Sequence, residues 1–314
     1  MTNLAFMGSP QFAVPTLEAL SREHTILAVF AQPDKPAGRG KVLTAVPVKQ
    51  WAEAHAIAIH QPKSFRKEPD AIESLRSLKP DVIIVAAYGL ILPQAVLDIP
   101  SHGCLNVHAS LLPKHRGAAP ITSAILADDD ETGITLMKMD AGLDTGPMLA
   151  IAREPIRSND TTQSLSERLS VIGAQLTIET LPKYMRGEIV PQPQPIEGAT
   201  YSPKIDKADA QIDWRKPAIE IDRMVRAYTP WPGTFTFWNG QMLKVLHVEA
   251  RDEGQEAKNK EGQVIRLEDG SIGVITGSGV IVLKEIQLAG RKAMTIDEFV
   301  RGHSAFVGSS LTSS

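Results

Sequence analysis

Cys104-Leu105-Asn106-Val107-His108-Ala109-Ser110-Leu111-Leu112-Pro113-Lys114-His115-Arg116-Gly117 runs from a short apolar strand into an irregular loop. Side chains of an extended segment repeat with period two, so Asn106 and His108 project from the same face of the strand. Cys104 and Leu105 give the strand a buried beginning, and Pro113 and Gly117 break it into a loop. An amide and a titratable imidazole at the carboxyl end of a strand stand where α/β folds place their chemistry.

The same rhythm extends on either side. Leu4–Met7, Ile26–Phe30, Ile57–His60, Val82–Ala87, Leu105–His108 and Ile134–Met139 read as strands, with helical patterns at Phe12–Leu20, Val48–His55, Ala71–Leu78 and Ala118–Ala127 between them. That alternation predicts an α/β domain with a mostly parallel sheet and helices on both faces. A longer helix is expected from Thr161 to about Arg186, with Asp160 and Gln163 as a capping box and Leu165, Leu169, Ile172 and Leu176 as its apolar stripe. Pro191-Gln192-Pro193-Gln194-Pro195 is stiff, extended and unable to join a sheet ladder, so it reads as a linker. Beyond a short helix at Ala218–Ala227, the β-branched runs Thr234–Trp238, Leu243–Val248, Gly262–Leu267, Ser271–Ile275 and Val280–Ile286 predict an all-β module, most simply a small barrel. The expected division is residues 1–189, a proline-rich linker at 190–204, and residues 205–314.

Bulk properties narrow the function. With 43% hydrophobic and 22% charged residues and a net charge of −3, the chain is an ordinary globular protein and no general polyanion binder. Its single cysteine, Cys104, excludes an internal disulfide and a thiolate-rich metal site, and its apolar context reads as core rather than nucleophile. The eight histidines lack metal-binding spacing, so no metal is expected. The N-terminus lacks a basic, apolar leader and no run of about 18 apolar residues occurs, so no membrane association is expected and the protein is placed in the cytoplasm.

Two further stretches carry chemistry. Asp140-Ala141-Gly142-Leu143-Asp144-Thr145-Gly146 follows the strand Ile134–Met139 and is expected on the same rim as His108. A calcium loop would need more oxygens in register; a carboxylate that orients the imidazole is the sharper reading. Taken singly, Asn106 and His108 could also be polar residues that satisfy backbone groups at a strand end. Together with Asp144, and with no serine or cysteine nucleophile needed, they suit transfer of an acyl group directly to an amine. The segment Lys35–Lys49 carries Lys35, Arg39, Lys41 and Lys49 and no acid. It is open to two readings, a solvated charge run or an arm that meets nucleic-acid phosphates. Tyr88-Gly89-Leu90-Ile91-Leu92 forms an apolar loop, either core or the wall of a slot for a flat heterocycle. Pro230-Trp231-Pro232-Gly233 reads as a structural turn.

Met7–Ala13, Gln32–Lys41, Ala87–Pro93, Asn106–Pro120, Gly133–Gly146, Ile212–Trp214, Pro230–Pro232 and Ala289–Met294 together resemble the methionyl-tRNA formyltransferase family, over nearly the whole chain. The likeness implies a Rossmann-like domain joined to an OB-like β-barrel. It also implies 10-formyltetrahydrofolate as formyl donor and the amine of methionyl initiator tRNA as acceptor, with no obligate protein partner. By resemblance the catalytic trio is Asn106, His108 and Asp144. The folate pocket falls on Ser110, Leu111, Leu112 and Pro113 and on Tyr88, Gly89, Leu90, Ile91 and Leu92. The tRNA arm carries Lys35, Arg39 and Lys41, and the C-terminal domain contacts tRNA as well. The segments around Asn106 and Asp144 specify the donor chemistry alone, so the alternative is a formyltransferase acting on an amino sugar nucleotide or another small amine. His115 stands where the family often has tryptophan, and Ala109 where it often has glycine or proline, which bears on local packing.

Overall fold

The computed structural model describes residues 1–37, 42–252 and 260–312. The chain divides into two compact units, one of residues 1–120, 131–155 and 165–203, the other of 121–130, 156–164 and 204–314.

The first unit is built on a seven-stranded sheet. Its members are β1 (Asn3–Gly8), β2 (Thr25–Phe30), β5 (Ile59–His60), β6 (Val82–Ala86), β7 (Cys104–His108), β9 (Glu131–Lys138) and β10 (Met148–Pro155). Between β2 and β5 a two-stranded ribbon forms from β3 (Lys35–Ala37) and β4 (Val42–Thr44). Strand order across the sheet is β10-β9-β7-β6-β1-β2-β5. The chain winds outward from β1 in both directions, which puts a switch point between β1 and β6. The pairs among β5, β2, β1, β6 and β7 are parallel. The β7–β9 and β9–β10 pairs are antiparallel, so β9 alone runs against the other strands and the sheet is mostly parallel, as expected from the alternation of elements.

Helices cover both faces. Ala5, Met7, Ile83, Val85 and Cys104 pack with Leu75 of α3 (Pro69–Leu78) and Val96 and Leu97 of α4 (Gln94–Leu97). α1 (Val14–Glu23) and α2 (Pro47–Ala54) complete the βαβ units. The opposite face of β7 meets α6 (Thr162–Met185), which follows α5 (Pro120–Leu126). The buried face of α6 runs through Leu165, Leu169, Gly173, Thr177 and Leu181, a helical spacing of four, and Ile172 and Leu176 stand only half-buried. Gly173 sits there because a Cβ at that place would lie 2.8 Å from Val107 Cγ1, so a small residue sets the closeness of helix to sheet. The helix start also differs by one residue from the sequence reading. Thr161 and Ser164 exchange the reciprocal bonds, Ser164 N to Thr161 Oγ1 at 3.2 Å and Thr161 N to Ser164 Oγ at 3.0 Å. Asp160 Oδ1 accepts from Ser164 Oγ at 2.8 Å as well.

In the first unit the short strand β8 (Arg116–Gly117) pairs in parallel with β11 (Tyr201–Ser202). The second unit carries an antiparallel, curled, barrel-like sheet in the order β12 (Phe235–Trp238), β13 (Gln241–Arg251), β16 (Val280–Leu288), β15 (Ile272–Ile275), β14 (Val264–Arg266), with β17 (Met294–Thr295) on β16. α7 (Ala218–Ala227) and α8 (Ile296–Gly302) bury Ile221, Val225 and Phe299 against it. The two core tryptophans find partners for their ring N–H groups: Trp214 Nε1 donates to Thr236 Oγ1 and Trp238 Nε1 to Ser309 Oγ, each at 3.0 Å. Trp231 leaves half of its surface in solvent.

Candidate active site

β7 carries Asn106 opposite Met137 of β9 and beside Val85 of β6, and His108 opposite Thr135. Both side chains share a face with Cys104, as period two requires. The acid loop reaches them by a different route from the one expected. β9 is antiparallel to β7, so its carboxyl end lies beside Leu105, at the amino end of β7. The parallel rhythm of the earlier strands does not extend to β9, and the loop after it turns back across the sheet face. Gly146 makes that return possible, since a Cβ there would lie 1.9 Å from Lys138 O.

Asp144 ends at the centre of the group. Its Oδ1 accepts from Asn106 Nδ2 at 3.3 Å, and its Oδ2 accepts from Gly117 N at 2.9 Å and stands 3.7 Å from His108 Nδ1. It holds this place with φ +51°, a left-handed conformation uncommon outside glycine, which aspartate tolerates better than most residues. Gly117 must come close on the other side: at φ +121°, a Cβ would lie 2.3 Å from Ser202 O.

His108 is 5% exposed, and its Nε2 stands 3.1 Å from the carbonyl oxygen of His115. A carbonyl only accepts, so Nε2 carries the proton and Nδ1 is the nitrogen left to exchange one. Burial pushes the imidazole pKa below its ordinary value, and the Asp144 carboxylate pulls it partly back up. The neutral ring therefore prevails near pH 7, with a carboxylate placed to stabilise the cation that forms when Nδ1 takes a proton. Cys104 on the same strand is buried, and burial pushes its thiol up to about 12, which leaves no thiolate to act.

Other residues singled out in the sequence have mixed placements. Ser110 is buried; its hydroxyl donates to Lys114 O at 2.6 Å and its carbonyl accepts from Thr135 Oγ1 at 2.7 Å. Leu112 is buried, and Leu111 and Pro113 are partly exposed. Tyr88 and Leu92 belong to the core, Gly89 takes φ +74° against the Gln32 amide, and Leu90 is half-buried. Ile91 stands 72% exposed and Leu143 of the acid loop 60% exposed. A pocket of about 450 Å³ opens beside the acid loop, lined by Gln94, Leu97, Gly103, Lys138, Met139, Asp140 and their neighbours, and by none of residues 88–92 or 110–113.

Of the basic arm, Lys35 is exposed and donates to Gln32 Oε1 at 2.7 Å; Arg39 and Lys41 lie outside the described residues. Lys49 is no free cation of that arm. Its Nζ lies 2.7 Å from Asp34 Oδ2 and 3.0 Å from Gln61 Oε1, and Gln61 Nε2 donates to Asp34 Oδ1 and Gln32 O at 2.8 Å each. This clasp fastens the start of the ribbon to α2 and β5. In the sequence Lys49 counts among the arm's charges because Asp34 lies fifteen residues away, just outside the acid-free window. Gln194, whose amide lies against the acid loop, carries no signal there beyond its place between prolines.

Among the described residues no group of histidine, cysteine, aspartate and glutamate could hold a metal ion, and no helix is long and apolar enough to cross a membrane.

Residues 2–181 match the formyl transferase family and residues 204–304 its C-terminal domain. The chain is 45% identical to methionyl-tRNA formyltransferase of Magnetococcus marinus over 98% of its own length and 97% of the relative. It is 48% identical to that of Ruegeria pomeroyi, covering 95% and 96%. Among solved structures, it resembles an N-formyltransferase from Helicobacter canadensis in complex with folinic acid and dTDP-3-aminofucose, with a TM-score of 0.67, 20% identity, and 90% and 99% of the two chains covered. HypX from Aquifex aeolicus matches with a TM-score of 0.66 at 19% identity, over 98% of this chain and 50% of that one. At such identities the two structures attest the fold alone.

Proposed function

We infer that this chain, which belongs to the methionyl-tRNA formyltransferases of the formyl transferase family, transfers a formyl group from 10-formyltetrahydrofolate to the α-amino group of methionyl initiator tRNA. The observation that carries the reading is a 45–48% identical match over 95–98% of the chain, both domains included. The runner-up, transfer to an amino sugar nucleotide, has behind it only a fold shared at 20% identity.

The site residues take roles that their geometry supports. The folate donor supplies the formyl group. Asn106 Nδ2 has two hydrogens; one faces Asp144, and the other is free to donate to the formyl oxygen as negative charge gathers on it, a contact worth about 3 kcal/mol. His108 Nδ1 takes the proton of the attacking amine and passes it to the departing nitrogen, which typically contributes about 10²–10⁴-fold. Asp144 stabilises the imidazolium in between. An α-amine has a pKa of about 8, so a useful neutral fraction is present near pH 7.

Ile91 and Leu143 leave large apolar surface uncovered, as a site for a flat ring system would. In this reading Tyr88–Leu92 and Ser110–Pro113 line the folate, with Tyr88 and Ser110 contributing support from within rather than side-chain contact. Lys35, Arg39 and Lys41 meet tRNA phosphates and bases. Residues 1–189 carry the transfer, and 205–314, past the proline-rich stretch 190–204, add tRNA contact. A substrate of this kind places the protein in the cytoplasm. The test is transfer of labelled formyl from 10-formyltetrahydrofolate to methionyl initiator tRNA, methionyl elongator tRNA and a dTDP-amino sugar. Labelling of the initiator alone is expected; labelling of the sugar in its place would overturn the assignment.

A further inference from the structure

Gln194 sits in the alternating proline segment, and its side chain is half-buried while those of Gln192, Pro193 and Pro195 are exposed. Its amide nitrogen donates to two main-chain carbonyls of the acid loop, Asp144 O and Gly146 O, at 2.8 Å each. Its amide oxygen accepts from Arg116 Nε at 3.0 Å and Arg116 Nη2 at 2.7 Å. Arg116 directly precedes Gly117, whose N–H holds Asp144 Oδ2. Asp144 is thus gripped twice, by its carboxylate from one side and by its backbone from the other. The second grip matters because the residue holds a left-handed conformation that is unfavourable without support from its surroundings. A primary amide is the side chain that combines two N–H donors with an acceptor on one planar head, and all three capacities are used here.

We propose that Gln194 is a positioning residue for formyl transfer: it fixes the backbone of Asp144 so that the carboxylate meets Asn106 Nδ2 and His108 Nδ1, and Arg116 in turn fixes Gln194. The role rests on the formyl-transfer reading above. The proline segment is then part of the catalytic unit. The prolines hold the main chain extended, and Gln192, two residues earlier, pairs its backbone with Met148 in both directions, which registers the segment beside the acid loop. The Gln192 side chain turns back to Val190 O instead.

The full-length protein tests this with Gln194→Met, which keeps length without donors, and Gln194→Glu, which keeps a partner for Arg116 but sets acceptors against the two carbonyls. Gln192→Ala is the control. Steady-state kinetics with methionyl initiator tRNA and 10-formyltetrahydrofolate, run across pH, are read beside thermal melting. Both Gln194 variants are expected to lose about 10–100-fold in kcat, the scale of an ångström-sized misplacement, with KM for the tRNA unchanged. The acid limb of kcat should move to lower pH, because a displaced carboxylate no longer supports charge on His108. Gln192→Ala should match the wild type. Wild-type kcat and pH profile in Gln194→Met would overturn the positioning role alone. So would a fall in kcat with an unmoved acid limb, as partial unfolding gives. A wild-type protein that leaves methionyl initiator tRNA unformylated would sink the parent reading, and this role with it.

Discussion

The two sheets of the molecule spend their polar residues in opposite ways. In the first unit, β7 and its neighbours bury His108, Ser110, His115 and Thr135, and bring the half-buried Asn106 and Asp144 to the same place. In the second, the interior of β13 and β16 is Leu243, Val245, Ile281 and Leu283, and charge stays outside as the surface group Arg251, Glu249, Asp269 and Lys284. Both follow the same rule for forming a sheet, an apolar face against helices. Stability and reactivity part here. Buried polar groups that point at one another hold a geometry at some cost, while an apolar interior contributes stability and no chemistry.

Substitutions can break this contrast or sharpen it. The largest effect is expected from Asn106→Ala, with kcat down by about 10²–10³-fold and the melting temperature nearly unmoved; a variant that keeps full turnover would remove the site from the first sheet. Asp144→Asn should follow, with a loss of about 100-fold and a displaced pH profile. Burial already depresses His108, and Asp144 is the chief influence raising it. With the neutral ring as the proposed base, activity should fail as pH falls through the folded pKa, which lies under the ordinary value of about 6.5. Neutralising Asp144 lowers that pKa further, and the acid limb of kcat shifts to lower pH; a limb that stays or rises would show the carboxylate has no charge role. The same depression means the unfolded chain binds more protons below pH about 6.5, so this group erodes stability as pH drops. In the second unit, Ile281→Val should cost about 1 kcal/mol in denaturant melts and leave turnover per folded molecule intact. The smallest change belongs to Glu249→Gln, whose partners are solvated. Its melting temperature should move by no more than about 2 °C, and the shift should vanish near 1 M salt.

Much of this contrast is legible in the sequence alone. Asn106 and His108 announce themselves because one residue between two polar side chains in a strand puts both on one face. The mostly parallel sheet, too, follows from elements that alternate. What escaped reading depends on direction and distance. Nothing in Ile134–Met139 says that the strand runs against β7, because side-chain alternation is the same in either direction. The edge strand β10 is Met-Leu-Ala-Ile-Ala-Arg-Glu-Pro, exposed at alternate positions and poor in bulky β-formers, so it has no buried run to display. The Asp34–Lys49 clasp joins residues fifteen apart, and the Gln194 contact joins residues fifty apart, in a segment whose prolines signalled only stiffness. Charge and amide pairing over such spans leave no period in a sequence.

Cys104 has a practical consequence. The chain's single thiol is sealed inside the sheet and held protonated far above neutral pH, so maleimides meet no reactive thiol on the native protein. A cysteine introduced at Leu43, which is 69% exposed on the ribbon, would therefore be a lone thiol attachment point for a fluorophore or crosslinker, installed without first removing the native cysteine.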